Sequence, residues 1–403
     1  MVDNGLLDAL VTGLVTGSVI AAGALSLSLI YSIAEVPNFA HGDMITVGAY
    51  LALLFNRPGE IPFVPDSLPI VGSVPLWVAA VIGLGLAAGV GALFEHVIFR
   101  KFRRRDADMV TMVIVSLGLA LILRNVVLFL VGSRNISYRT PTIRDVNWDL
   151  YLTGNGVTVQ VTQRQAGDIA LLTEWGYPWV LALGILAATV AVGYGVYRWR
   201  SADAGYDTVH VISPRILGAL AGGATFLGLA ALLRLDPQGT AALWSTRIGL
   251  SEKDVVVVLL VGIAMFLLNL VLKTTKLGKA MRATSDNMAL AEVRGVDVDH
   301  VQLVVWVIAG LLTALAGVLA GWNASNLNPN MGFTLLLPVF AAVILGGIRS
   351  PYGAVMGGLV IGISMDVGVY LLPADLATYR IAIAFVVLVG VLLVEPDGLW
   401  GDV

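Results

Sequence analysis

Cysteine is missing from all 403 residues, which excludes disulfides, thiolate metal sites and a cysteine nucleophile. Charge is scarce as well: Asp, Glu, Lys and Arg make up 13% of the chain and nearly cancel to a net −3. That balance argues neither for nucleic acid nor for an acidic substrate. Histidine occurs only as His41, His96, His210 and His300. All four are expected at cytoplasmic ends, but no two of them stand at i, i+4 beside a carboxylate, so the spacing of a metal site is lacking. No cofactor is expected. The nearest approach to a phosphate-binding loop, Gly278-Lys279, continues into Ala280 rather than Ser or Thr, and no strand precedes it. Any work driven by ATP therefore needs a second chain. Asp3 and Asp8 stand where a signal peptide carries positive charge, so the first apolar run is expected to be a retained helix.

Apolar residues, by contrast, make up 58% of the chain, and the mean hydropathy of +0.87 lies far above a soluble balance. Eleven all-round apolar runs lie near Leu6 to Ile33, Met44 to Phe55, Val74 to Phe99, Met109 to Val131, Pro178 to Tyr197, Ile216 to Leu235, Val255 to Leu272, Val301 to Trp322, Leu335 to Leu345, Gly353 to Leu371 and Ile381 to Val394. Most approach the ~20 residues that cross a ~30 Å hydrocarbon core as a helix. A transmembrane barrel would read as short alternating segments, and runs such as Val255 to Leu272 do not alternate. The expected fold is all-α: one polytopic transmembrane domain over residues 1–403, a helical bundle with about 10–11 membrane segments. The second and ninth runs are too short to span and are flanked by Gly, Pro or Asn, which predicts broken or re-entrant helices there.

Lys and Arg in short loops mark the cytoplasmic side. Arg100, Lys101, Arg103, Arg104 and Arg105 follow the third run, and Lys273, Lys276, Lys279, Arg282 and Arg294 follow the seventh. Four crossings between the two loops return the chain to one side, and Arg198 with Arg200 marks a cytoplasmic turn midway. The amino terminus is then outside and the carboxyl terminus inside. Residues 132–177 become an external polar loop whose Asn155-Gly156 turn predicts a small hairpin lid. Residues 178–235 become a transmembrane pair, and residues 273–299 a cytoplasmic loop.

Several motifs carry a functional and a plain reading side by side. The turn Asn38 to Asp43, just after Pro37, places broken backbone at membrane depth, tolerated only against protein or a water-filled path. The plain reading is an interfacial turn with Asp43 capping the next helix. Gly346, Gly347, Pro351, Gly353, Gly357 and Gly358 form a small-residue run that reads as close helix packing, with a hinge as the alternative. In the loop after Lys273, Asp286 is expected to cap a two-turn helix over residues 287–294 and Gly295 to stop it. So short a helix gains stability by docking on something; a simple connector is the alternative. Charges within the runs are few, chiefly Arg124 and Asp366, and each is a functional candidate or a paired structural group.

These residues resemble the LivH-type permeases of branched-chain amino acid ABC importers. The resemblance is carried by Tyr31, by Pro37-Asn38-Phe39-Ala40-His41-Gly42-Asp43 with Gly48-Ala49-Tyr50, by Glu95 to Arg100, and by Leu277 to Ala283. It continues through Gly295-Val296-Asp297, Ala316 to Leu319, Asn328-Pro329, Ala342 to Gly358 and Glu395 to Leu399. Residues from about Asn135 to Lys253 depart from it, and there the chain carries an added pair of spans. The resemblance implies a non-catalytic permease subunit in a prokaryotic cytoplasmic membrane, paired with a LivM-like second permease. It also implies LivF/LivG-like ATPase subunits, an extracytoplasmic substrate-binding protein and no nucleic acid. Gly278, Arg282, Ala283, Asp286, Glu292 and Gly295 fall in the family's ATPase-docking segment. Candidate path residues are Asn38, His41, Asn323, Asn326 and Asn328, polar groups at the ends of gapped helices. Relatives carry urea, short amides or other amino acids, so these stay open as substrates. A secondary transporter or a non-transporting scaffold is the alternative of a different class.

Overall fold

A computed structural model of the protein describes residues 4–34, 38–62, 64, 74–140, 146–165, 168–202, 214–235, 247–373, 378–396 and 398–399. Its helices are α1 (Asn4–Ala34), α2 (His41–Asn56), α3 (Leu76–Phe94), α4 (Arg100–Arg103), α5 (Met109–Val131), α6 (Trp179–Ala202) and α7 (Pro214–Leu232). They continue as α8 (Glu252–Thr274), α9 (Lys276–Asp286), α10 (Met288–Val293), α11 (Val298–Asn323), α12 (Met331–Gly346), α13 (Pro351–Leu371) and α14 (Arg380–Leu392). Seven described helices are long and apolar enough to cross a membrane. With α2, α7, α12 and α14 they reproduce the eleven apolar runs of the sequence. Side chains such as Val81, Phe129, Val180 and Val386 stand largely exposed on these helices, which only a hydrocarbon solvent favours.

By their internal contacts the residues form two compact units, one within Met1–Asp8 and Ile143–Glu252 and the other within Ala9–Thr142 and Lys253–Val403. The first coincides with the stretch that departs from the LivH pattern. It holds a four-stranded antiparallel sheet of β1 (Val146–Thr153), β2 (Gly156–Gln165), β3 (Asp168–Pro178) and β4 (Arg247–Ser251), in the order β3-β2-β1-β4. The hairpin expected at Asn155-Gly156 is the β1–β2 turn, with Thr153 opposite Gly156. The sheet is larger than the expected lid because β4 arrives from the far side of two helices and pairs with β1 from Asn147 to Tyr151. Val159, Val161, Trp175 and Tyr177 bury one sheet face against Ile185 of α6. Glycines let α6 and α7 pack closely: a β-carbon at Gly218 would lie 2.6 Å from the Gly193 carbonyl oxygen.

In the second unit the helix ends gather into two levels. A basic end collects the close of α1, α4, the close of α8, α9, α10 and the start of α11, with Ser285 bonded to Ser32 O and Arg100 to Asp299. A five-residue π turn, Glu95–Phe99, carries α3 into α4 there. The opposite end collects the close of α2, the start of α3 and the segment after α5, with Asn56 bonded to Val74 O and Arg139 O.

Two four-helix sets run through this unit in opposite senses. α1, α2, α3 and α5 form one set; α11, α12, α13 and α14 form the other, each reversing its counterpart. The sets interlock. α3 packs on α11, where a β-carbon at Gly91 would lie 2.3 Å from the Trp306 carbonyl oxygen. Likewise α13 packs on α1, with Gly362 against Gly17 at 2.1 Å. Such approaches supply the packing that holds helices together when lipid competes equally for apolar side chains.

Candidate functional site

α2 and α12, the two 16-residue helices, both begin inside the bundle and run outward to opposite ends. Each is launched by the same local chemistry. Asn38 accepts the Ala40 N–H at 3.1 Å on its side chain and the His41 N–H at 3.3 Å on its carbonyl. Asn328 accepts the Asn330 N–H at 2.9 Å and the Met331 N–H at 3.1 Å in the same way. An asparagine turn of this kind replaces the backbone bonds lost where a helix starts away from water. Four residues after each Asn comes a glycine, and the two helices touch there: a β-carbon on Gly332 would lie 1.8 Å from the Gly42 carbonyl oxygen, and one on Gly42 would lie 2.6 Å from that of Gly332. Thr46 accepts the Gly332 N–H at 3.0 Å and closes the contact. Pro37 lies outside the described residues.

His41 is a correction to the sequence reading, for it stands inside the bundle at the start of α2 and not at a cytoplasmic end. It is fully buried, its Nε2 3.0 Å from Gly23 O and 3.1 Å from Ser26 Oγ. Thr313 donates in turn to Ser26 at 3.3 Å. Among the other histidines, His96 and His300 are exposed and His210 lies outside the described residues. Asp43 is a second correction: it caps nothing. The capping position of α2 is Ala40, without a side-chain bond, and Asp43 accepts from Arg124 Nε at 2.9 Å and Nη2 at 3.0 Å. The Arg124 guanidinium also lies 4.3 Å above the Phe333 ring. Asp366, the other isolated charge, binds Arg380 at the start of α14 and takes the Thr16 hydroxyl at 2.8 Å.

The five path candidates do not converge. Asn38 and His41 are buried at the crossing, whereas Asn323 closes α11 and Asn326 and Asn328 form the half-buried link to α12.

At the basic end α9 folds back on α8 through Gly278, whose β-carbon would lie 2.3 Å from the Leu272 carbonyl oxygen. Thr275 caps α9 by accepting the Gly278 N–H at 2.9 Å. Asp286 is a third correction: it ends α9, and Asn287 caps α10 by accepting the Leu290 N–H at 2.9 Å. The short helix runs from Met288 to Val293, and Gly295 takes φ +84° just beyond it. Arg282, Ala283 and Glu292 stand exposed on this element. A cavity of about 270 Å³ opens beneath it, lined in part by Lys273, Arg282, Ser285, Asp286 and Arg349. Nearby, Asp299 collects Arg100 and Arg104, each at 2.7 Å. Asp108 caps α5, and the Thr111 hydroxyl beside it holds its carboxyl below the ordinary range. Among the described residues no three His, Cys, Asp or Glu side chains gather as a metal ion would need.

The small-residue run joins α12 to α13. Gly346 and Gly353 approach each other to within 2.0 Å of a β-carbon, and Gly357 does the same against Ala342 O at 2.1 Å. Gly358 packs on Ala21 Cα at 2.6 Å, Gly347 closes α12 with φ +96°, and Pro351 opens α13.

Residues 9–394 match the protein family described as the permease component of branched-chain amino acid transport systems. Among curated proteins the chain is 23% identical over 399 residues to the high-affinity branched-chain amino acid transport system permease protein LivH of Escherichia coli K12, covering 98% of this chain and 95% of the relative. It is 24% identical over 398 residues to permease protein BraD of Pseudomonas aeruginosa, with the same coverage of each chain. A probable LivH from Methanocaldococcus jannaschii is 36% identical over 151 residues, 36% of this chain and 46% of the relative. No solved structure matches.

Proposed function

Because the chain belongs to the permease family of branched-chain amino acid transport systems, we propose that it forms, with a second permease chain, the membrane passage for branched-chain amino acids. It carries no nucleotide loop, so separate ATPase chains drive it, and an external binding protein delivers the solute. The observation that carries this reading is the crossing of α2 and α12 at Gly42 and Gly332, two half-length helices starting inside the bundle within oppositely running sets. Broken helices of this kind are sustained at membrane depth beside a solute path. A chain that only anchored partners would gain nothing from them.

The basic end is the cytoplasmic one. There α9 and α10, from Gly278 through Arg282, Ala283, Asp286 and Glu292 to Gly295, form the contact for the ATPase. Asn38 and His41 hold the crossing behind the path, Asn328 stands at the inner start of α12, and Asn323 and Asn326 sit toward its external mouth. The test is uptake of labelled leucine, isoleucine and valine by the complex reconstituted in vesicles with its ATPases and binding protein. ATP-dependent uptake of all three is expected. Transport of urea or a short amide in their place would move the substrate and keep the permease, and no transport of any solute by a fully assembled complex would remove the function.

A further inference from the structure

Where α9 folds back onto α8, the cavity of about 270 Å³ is walled by the close of α1, the close of α8, α9 and the start of α13. Its floor is apolar: Leu29, Ile33, Leu272 and Met281 line it, each at most 9% exposed. Its rim is cationic. Lys273, Arg282 and Arg349 come to it from α8, α9 and the α12–α13 turn, against the one carboxylate of Asp286. Among the described residues neither Lys273 nor Arg282 holds an ion pair; the Lys273 ammonium lies 6.0 Å from the centre of the Tyr352 ring. Like charges that converge in this way repel one another, and an anion between them removes that cost. Because spans end here, the cavity sits where hydrocarbon gives way to headgroups. Tyr352 lines it and is also exposed on the outside of the bundle. The Tyr352 hydroxyl donates to Asn269 of α8 at 2.7 Å, which turns the Asn269 face of α8 toward α13. One and two turns deeper on that face stand Met265 and Gly262, and a β-carbon on Gly262 would meet nothing within 4 Å. One turn deeper on α13 is exposed Met356. The seam below the cavity is thus apolar and open at Gly262.

We propose that this cavity holds the phosphate of an anionic phospholipid from the leaflet at the basic end, with Lys273, Arg282 and Arg349 around the phosphate and the acyl chains in the α8–α13 seam. A cationic rim alone takes any phosphate. The apolar floor selects one joined to hydrocarbon, since a free phosphate would shed water against Leu29 and Met281 with nothing in return. The bound lipid ties α9 to α8 and α13, whichever solute the chain moves.

The test is native mass spectrometry of the purified full chain and of the assembled complex in an uncharged detergent, supplied with phosphatidylglycerol, with phosphatidylcholine of the same acyl chains, or with inorganic phosphate. Phosphatidylglycerol is expected to stay bound under conditions that strip phosphatidylcholine. Lys273→Gln and Arg282→Gln should each weaken its binding about 5-fold, and Asp286→Asn should tighten it. Lys276→Gln, on α9 but outside the lining of the cavity, should leave it unchanged. Equal retention of the two lipids, or equal weakening by Lys276→Gln and Lys273→Gln, overturns the site. Displacement of the lipid by inorganic phosphate at matching concentration overturns the lipid as ligand in favour of the free anion. Release of the lipid when the ATPase chains bind would give the cavity to an acidic group of the ATPase, and overturns the proposal as well. Should a glutamine variant fail to fold, Asp286→Asn decides, because misfolding does not tighten binding: unchanged or weaker retention there counts against the site. These readouts need no transport, so a parent complex that moves no branched-chain amino acid would sink the transport reading and leave the lipid site standing.

Discussion

A carbonyl oxygen 1.8 Å from where a β-carbon would sit on Gly332 leaves no room for any side chain, and the obstacle is backbone of α2 that cannot rotate away. Gly332→Ala must therefore push α2 and α12 apart, and overpacking of this kind costs about 1–3 kcal/mol. The expected outcome is a lower melting temperature of the purified complex and reduced uptake. Gly262→Ala on α8 is the control, because nothing lies within 4 Å of its β-carbon, and it should melt like the parent. Equal melting of both variants would contradict the crossing. The sequence marked Asn38 to Asp43 as unusual but offered no sight of its counterpart, since Asn328 and Gly332 share with Asn38 and Gly42 only two letters at one spacing. Asp43 was misread for a related reason: a carboxylate at a helix start suits a cap, and its partner Arg124 lies 81 positions away.

At the scale of the element, α9 and α10 form a hinged pair whose geometry rests on three residues. Asn287 caps α10, Thr275 caps α9, and Gly295 at φ +84° releases the chain toward α11. Asn287→Ala removes a cap worth about 0.5–2 kcal/mol; Gly295→Val places a β-branched side chain in a left-handed conformation at about 1 kcal/mol or more. Space is open around Gly295, so that penalty is purely conformational. Both variants should insert normally, lose co-purification with the ATPase chains and lose solute-stimulated hydrolysis. Asp286→Ala should leave α10 intact, since Asp286 ends α9 and caps nothing, so a loss of association there reports the contact side chain and not the cap. Normal coupling in Asn287→Ala and Gly295→Val together would take this pair out of energy transfer. The sequence showed a short helix ending in glycine here; the choice between adjacent Asp and Asn as cap depends on one residue of phase that periodicity does not resolve.

For the whole molecule, composition and run length made the helical membrane fold legible, because a chain with no polar face on its helices has only lipid to fold in. What runs of apolar residues cannot encode is direction and partner: α3 on α11 and α13 on α1 are long-range choices made by glycine contacts, and β4 joins β1 from nearly 100 residues away. The oppositely running sets nevertheless make a strict demand on sidedness. α5 leads from the basic end to the segment holding Ser133, and α9 at the basic end holds Ala283; both residues are exposed. If the basic end faces the cytoplasm, Ser133→Cys should be labelled by an impermeant maleimide in intact cells, and Ala283→Cys only after permeabilisation. The reverse pattern would invert the orientation and leave the fold intact. Labelling of both from one side would be incompatible with α5 as a complete crossing, and with it would go the reversed pairing of α5 and α14 on which the two-set arrangement depends.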